Sequence, residues 1–302
     1  MSEGGAAATV VEIPAPARRR RPWFALLAGA WHQGRTKVGL LLLLLLGGSA
    51  LLGPYFAPYS PTEFVAPPYS TPSDFGWFGA DLLGRDVLSR FLWGGRSVLT
   101  LSVLATLMGM ILGTAIGLVA AYSGGLLDDA LMRTMDVLLS FPQLVFALVL
   151  AATVGPQLWL LVLAVGITTM PRVARIARGA AVEVVERDFI RAAEAIGEPR
   201  RRILLGDVLP NVTGPLVVEA SLRLSFNIAV VAGLSFLGFG IQPPDADWGL
   251  MINENRNGLT IQPWPVVLPV AAIGLLTIAT SLVGDGLSRS VAGIEGGGRA
   301  KQ

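Results

Sequence analysis

The chain has 302 residues, 53% hydrophobic and only 15% charged, with a mean hydropathy of +0.62. A soluble globular protein carries roughly 25% charged residues, so this chain cannot clothe a water-facing body of its size, and lipid must solvate much of it. Cysteine is absent and histidine single, which excludes disulfides, thiol nucleophiles, thiolate metal sites and histidine clusters. The net charge of +2 is Arg-rich and sits in loops without interleaved aromatics, a pattern of membrane topology rather than of nucleic-acid binding.

The first segment, residues 1–36, is rich in Gly, Ala and Pro and contains the block Arg18-Arg19-Arg20-Arg21. It is expected to form a disordered, basic cytoplasmic tail, with His32 solvated or interfacial. The Leu-rich run that follows has no A-x-A cleavage site and is long enough to stay as an anchor. Apolar runs that meet the spanning length of roughly 17–25 residues, or nearly so, lie near 38–57, 97–121, 137–154, 157–171, 212–237 and 266–283. The expected fold is therefore an all-α membrane protein of about six spans. The third and fourth spans are separated only by Gly155-Pro156 and read as a tight helical hairpin.

Between the first two spans, Pro54, Pro58, Pro61, Pro67, Pro68 and Pro72 mark an extended extracytoplasmic excursion. Its second half, 81–96, is expected to form an interfacial helix leading into the second span, so that 37–96 is one unit and 97–288 the transmembrane core. The arginines decide orientation. Arg172, Arg175, Arg178, Arg187, Arg191 and Arg200 to Arg202 follow the fourth span, whereas 241–265 holds only Arg256. An even span count then puts both termini, including the tail 289–302 with Arg289, Arg299 and Lys301, in the cytoplasm.

The polar interruption at 187–211 reads RDFIRAAEAIGEPRRRILLGDVLPN. Phe189, Ile190, Ala193 and Ile196 recur near helical spacing, Gly197 caps that helix, Pro199 opens a second, and Pro210 is expected to close it. A helix, a turn and a return helix across one membrane face make either a docking knob or merely a basic loop. Composition alone does not separate the two.

The segment resembles the EAA loop of ABC-importer permeases through Ala192, Ala193, Gly197, Leu209 and Pro210. Arg191 stands where the first acidic residue is usual, and Asp207 where a basic or aliphatic residue is common. Three further stretches, FGADLLGRDVLSR (78–90), GGLLDDALMRTMDVLLSFP (124–142) and LSFLGFGIQPPDADW (234–248), with Gly284-Asp285-Gly286, resemble the second permease of the dipeptide and oligopeptide importers. One departure is Phe78, where that family commonly has histidine before the glycine. The resemblance implies a type I importer fold in the bacterial inner membrane. It implies as partners a second homologous permease, two ATP-binding cassette subunits carrying ATP and Mg, and an extracytoplasmic solute-binding protein. Arg191, Ala192, Ala193, Glu194, Gly197, Leu209 and Pro210 become the expected ATPase-coupling residues, and no cofactor is expected on this chain.

The chain's own sequence argues against ATP chemistry, because a phosphate-binding loop needs Gly-Lys-Ser/Thr. Its two lysines, Lys37 and Lys301, are neither preceded by Gly nor followed by Ser or Thr. In the fifth span Glu219, Arg223 and Asn227 fall four apart on one face, expected to point away from lipid. They serve either as an intrahelical pair, the favoured reading, or as candidates for the translocation path. Asp129 and Arg133 are an expected i,i+4 pair, and Asp81, Arg85 and Asp86 are read as capping groups or as contacts for the binding protein. A nickel or other small-solute permease, an ion-gradient transporter and an intramembrane enzyme are the alternatives, in falling order.

Overall fold

The computed structural model describes residues 34–299. The tail arginines 18–21, His32 and Lys301 lie outside the described residues. Among those described no β-strand forms, and only two isolated bridges, Phe64–Arg85 and Ala80–Asp86, interrupt a helical chain. Helix is the element that lets an apolar run satisfy its own backbone in lipid. The elements are α1 (Gly34–Leu52), α2 (Val87–Ser123), α3 (Gly125–Ser140), α4 (Gln143–Val154), α5 (Leu158–Val185), α6 (Asp188–Ala195), α7 (Arg200–Phe236), α8 (Trp248–Asn255) and α9 (Trp264–Arg299). Five of them are long and apolar enough to cross a membrane, and six spans result if the bent pair α3–α4 counts as one.

The structure corrects four expectations about boundaries. No separate interfacial helix forms over 81–96: α2 runs unbroken for 37 residues from Val87, with Asp86 as its N-cap, accepting the Ser89 N–H at 2.8 Å. Residues 81–85 are instead a turn, because the Asp81 carboxylate captures the N–H groups of Leu83 and Arg85, each at 2.9 Å. The third span is not one rod, since α3 and α4 meet at 83°. Pro142 has no N–H and drives Phe141 into extended backbone, φ −85° and ψ 127°.

The fourth span does not stop at Pro171 but continues as α5 to Val185, which places Arg172, Arg175 and Arg178 on a helix rather than in a loop. Prolines are tolerated inside membrane helices when neighbouring groups re-satisfy the backbone. Nor does Pro210 end a helix. A π-helical stretch over Ile203–Val208 precedes it, the Asn211 side chain donates to the Asp207 carbonyl at 2.5 Å, and α7 carries on to Phe236.

The core seam joins α2 to α5. Gly109, Gly113 and Gly117 recur every four residues on α2, and each meets the partner backbone or a branched side chain. A methyl at Gly109 would sit 2.8 Å from Thr169, and one at Gly113 would sit 2.6 Å from both the Met170 carbonyl and Val173. At Gly117 it would strike the Ala174 carbonyl. Small residues at this spacing let two membrane helices approach to backbone contact.

Gly39 and Gly286 make a second close seam, between α1 and α9, so the start of α1 lies beside the end of α9. That end of the bundle also holds the end of α2, α6 and the start of α7, and the opposite end holds the loop 53–86 and α8. The two ends are here called the arginine-rich end and the loop end.

Candidate coupling surface and the charge clusters around it

At the arginine-rich end, α6 is an eight-residue helix whose N-cap, Arg187, is extended and whose first turn carries Asp188, the favoured charge there. Ile190, only 1% exposed, plugs it into an apolar cluster with Leu118, Ala181, Val184, Ile203 and Val208, and Ala193 and Leu209 pack half-buried against the same cluster. The helix ends in a Schellman turn. Gly197 N–H donates to Glu194 O at 3.0 Å and Glu198 N–H to Ala193 O at 3.1 Å, with Gly197 at φ +81°. A side chain at 197 would meet open space, so the glycine is required by backbone handedness and not by crowding.

The expected coupling residues thus divide. Arg191, Ala192, Glu194, Gly197 and Pro210 are exposed, while Ala193 and Leu209 face inward. The single apolar face expected from Phe189, Ile190, Ala193 and Ile196 splits as well: Ile190 and Ala193 anchor the helix, while Ile196 is 78% exposed. Leu205, 63% exposed in the π stretch, was not singled out by sequence reasoning. Ile196 and Leu205, with the small Ala192 and Ala195, leave an apolar, low-profile surface in a basic surround. Arg200 lies 6.0 Å over the Tyr122 ring, and an Arg202–Glu198 pair at 2.9 Å braces the return.

Further along α7, Glu219 and Arg223 form the expected i,i+4 ion pair at 2.9 Å, largely shielded within the protein. Asn227 is fully buried. Its Nδ2 donates to Thr106 of α2 at 2.9 Å and its Oδ1 accepts from Thr169 of α5 at 3.1 Å, so one amide ties three helices together.

On α3 the carboxylates reach across to α5 and not along their own helix. Arg178 grips Asp128 with two nitrogens, both at 2.5 Å, and Arg175 pairs with Asp136. Among the described residues no ion pair joins Asp129 to Arg133, both of which are exposed, and it is Asp128 and Asp136 that face α5.

The loop end carries a cluster that sequence reasoning missed. Asp81, Arg85, Arg90 and Glu254 form a buried four-charge network, with Arg85–Asp81 at 2.7 Å, Arg85–Glu254 at 2.8 Å and Arg90–Glu254 at 2.9 Å. Arg90 has no exposed surface, and burial holds Asp81 and Asp86 away from any outside contact as well. Asp247 caps α8 through the N–H groups of Gly249 and Leu250 and accepts Ser97 Oγ–H at 2.5 Å. Its burial pushes its pKa up, partly offset by the hydrogen bonds it accepts from Ser97, Leu250 and Gly249. An Asp directly before Trp248-Gly-Leu-Met is a helix-start signal legible in the sequence. Glu254 is not, since its partners are more than 160 positions away. Among the described residues no group of three His, Cys, Asp or Glu side chains is placed to hold a metal ion.

Residues 113–293 match the family model described as the binding-protein-dependent transport system inner membrane component. The chain is 36% identical over 272 residues to the glutathione transport system permease protein GsiD of Pectobacterium atrosepticum, covering 89% of this chain and 90% of that protein. It is 37% identical over 263 residues to the di/tripeptide transport system permease protein DppC of Pseudomonas aeruginosa, covering 85% and 87%. A putative peptide permease protein of Brucella ovis is 36% identical over 264 residues, covering 86% and 87%.

Proposed function

Because the chain belongs to the family of binding-protein-dependent transport system inner membrane components, a family of transport permeases and not of enzymes, we propose that it is one permease subunit of an ATP-driven peptide importer. Its solute class follows its relatives, which carry peptide and glutathione names over most of this chain's length. In this reading a second homologous permease completes the path, two ATP-binding cassette subunits bind ATP and Mg, and a solute-binding protein delivers the peptide. The arginine-rich end faces the cytoplasm of a bacterial cell, following the positive-inside bias.

The observation that carries the reading is the α6 knob. It is fixed from behind by Ile190 and Ala193, yet it presents Ala192, Ile196 and Leu205 outward without a covering element. An exposed apolar patch on a firmly anchored helix marks a protein contact. Small side chains at Ala192 and Ala195 let the helix backbone enter a groove of the motor subunit. Closure of the two ATPases around ATP then moves α6, and with it α7, so that the bundles rock about a solute path near the membrane centre. Glu219, Arg223 and Asn227 serve this motion through helix cohesion and not through solute contact, because Asn227 spends both ends of its amide on Thr106 and Thr169.

Two substitutions test the knob. Ala192→Trp adds bulk on the exposed face, and Gly197→Asp imposes a side chain on the positive-φ turn. The expected result for either is normal membrane insertion, loss of ATP-dependent peptide uptake and loss of the ATPases on purification. Normal uptake with full ATPase retention in both variants would sink the assignment, as would uptake that persists under vanadate.

A further inference from the structure

At the loop end, the first turns of α2 and the segment before α8 enclose a cavity of about 320 Å³. Trp93, Arg96 and Thr100 of α2 form one side, and Ile241 and Asp245 the other, with Pro61 at the edge. Arg96 and Asp245 are both exposed, and among the described residues neither forms an ion pair. Opposite charges on two different elements thus look into one space without neutralising each other.

The walls are held from behind. Buried Arg90 donates to the Pro61 carbonyl at 3.1 Å and to the Pro244 carbonyl at 3.5 Å, which fixes both rims, and Arg90 is itself clamped by Glu254. Ser97, which also lines the cavity, donates to Asp247, two positions after Asp245. A site whose walls are set by buried hydrogen bonds loses little freedom when it is filled. Its depth is also telling. Arg96 is the last charge before an uncharged run that reaches to Asp128, longer than the roughly 20 residues a span requires, so the cavity opens at the membrane boundary away from the knob.

We propose that this cavity is a subsite for a short zwitterionic peptide, with Arg96 receiving its carboxylate, Asp245 its ammonium group and Trp93 its apolar side chain. A guanidinium offers a carboxylate two parallel N–H bonds, and the volume lies at the low end of small-ligand sites, roughly 300–1,000 Å³. A lone anion such as a lipid phosphate would gain from Arg96 but be repelled by Asp245, and a lone cation would meet the reverse. The inference rests on the reading of the chain as a peptide permease, which it refines by naming the groups of the peptide that are recognised.

The test uses the complete transporter in phosphatidylcholine nanodiscs without nucleotide, titrated with alanylalanine by calorimetry. Alanylalanine should bind, and Arg96→Gln and Asp245→Asn should each weaken it at least tenfold. N-acetyl-alanylalanine should bind weakly and be indifferent to Asp245→Asn, and alanylalanine amide should be indifferent to Arg96→Gln. The proposal is overturned if alanylalanine does not bind, or if neither variant changes its affinity. It is equally overturned if only Arg96→Gln matters and phosphatidylglycerol displaces the peptide, which would make the cavity a headgroup site. Since nucleotide is absent, failure here leaves the motor reading standing, while uptake that needs no ATPase would sink that reading even if alanylalanine bound.

Discussion

The two ends of the bundle use charge in opposite ways. At the loop end, Asp81, Arg85, Arg90 and Glu254 are buried together and join residues far apart in sequence, so the loop 53–86 is fastened to α8. At the arginine-rich end Asp128 is buried beneath Arg178, but two other pairs lie at the surface: Arg175 and Asp136 are each about half exposed, and Arg202 is 71% exposed against Glu198. A buried network fixes a geometry because removing one partner strands the others without water. An exposed pair breaks and re-forms at little cost. One end is locked by its charges, and the other is held by pairs that can exchange with water.

The sharpest way to break this contrast is Glu254→Ala. It removes one of the two carboxylates that Arg85 and Arg90 share and leaves Asp81 alone against two buried guanidiniums, and the expected loss is about 3–5 kcal/mol, read as a large fall in the melting temperature of the purified transporter. A melting curve like that of the unmodified protein would show that the loop end is not locked by charge. Next in size is Gly113→Val on the α2–α5 seam. Overpacking against Val173 and the Met170 carbonyl should cost about 1–3 kcal/mol and lower the yield of folded protein. By contrast Asp136→Ala at the arginine-rich end should change stability by no more than about 1 kcal/mol, and a double-mutant cycle with Arg175→Ala measures it. A coupling as large as that of the Glu254 network would erase the distinction.

The smallest effect concerns pH. Because burial raises the pKa of Asp247 in the folded chain, the folded state keeps that proton to higher pH than the unfolded state does. The stability from this group is therefore fully present below the ordinary value of 3.8 and is lost as pH rises through the raised folded value. Asp247→Asn should flatten that part of the stability–pH curve while keeping the cap on α8, and an unchanged curve would count against a raised pKa.

The fold class was legible because lipid imposes length and hydropathy on each span, and the short helix α6 because a polar, helical interruption stands out against that background. What stayed hidden was of two kinds. Boundaries at Pro142, Pro171 and Pro210 could not be told apart by residue type: one bends the chain by 83° and the other two are carried inside long helices, a difference set by their neighbours. Partnerships such as Arg90 with Glu254 depend on tertiary approach and leave no local trace. The glycine ladder at 109, 113 and 117 did carry a signal, the four-residue spacing of small side chains.

That ladder also has a mechanical meaning. Three successive turns of α2 are notched onto Thr169, Val173 and Ala177, so the two rods cannot slip past one another by less than a full tooth, about 6 Å for four residues. They must travel as a single shaft. One end of that shaft carries Tyr122 beneath Arg200, and the other carries Trp93 and Arg96 at the mouth of the cavity. The seam therefore links, through one rigid pair of helices, the neighbourhood of α6 to the neighbourhood of the cavity.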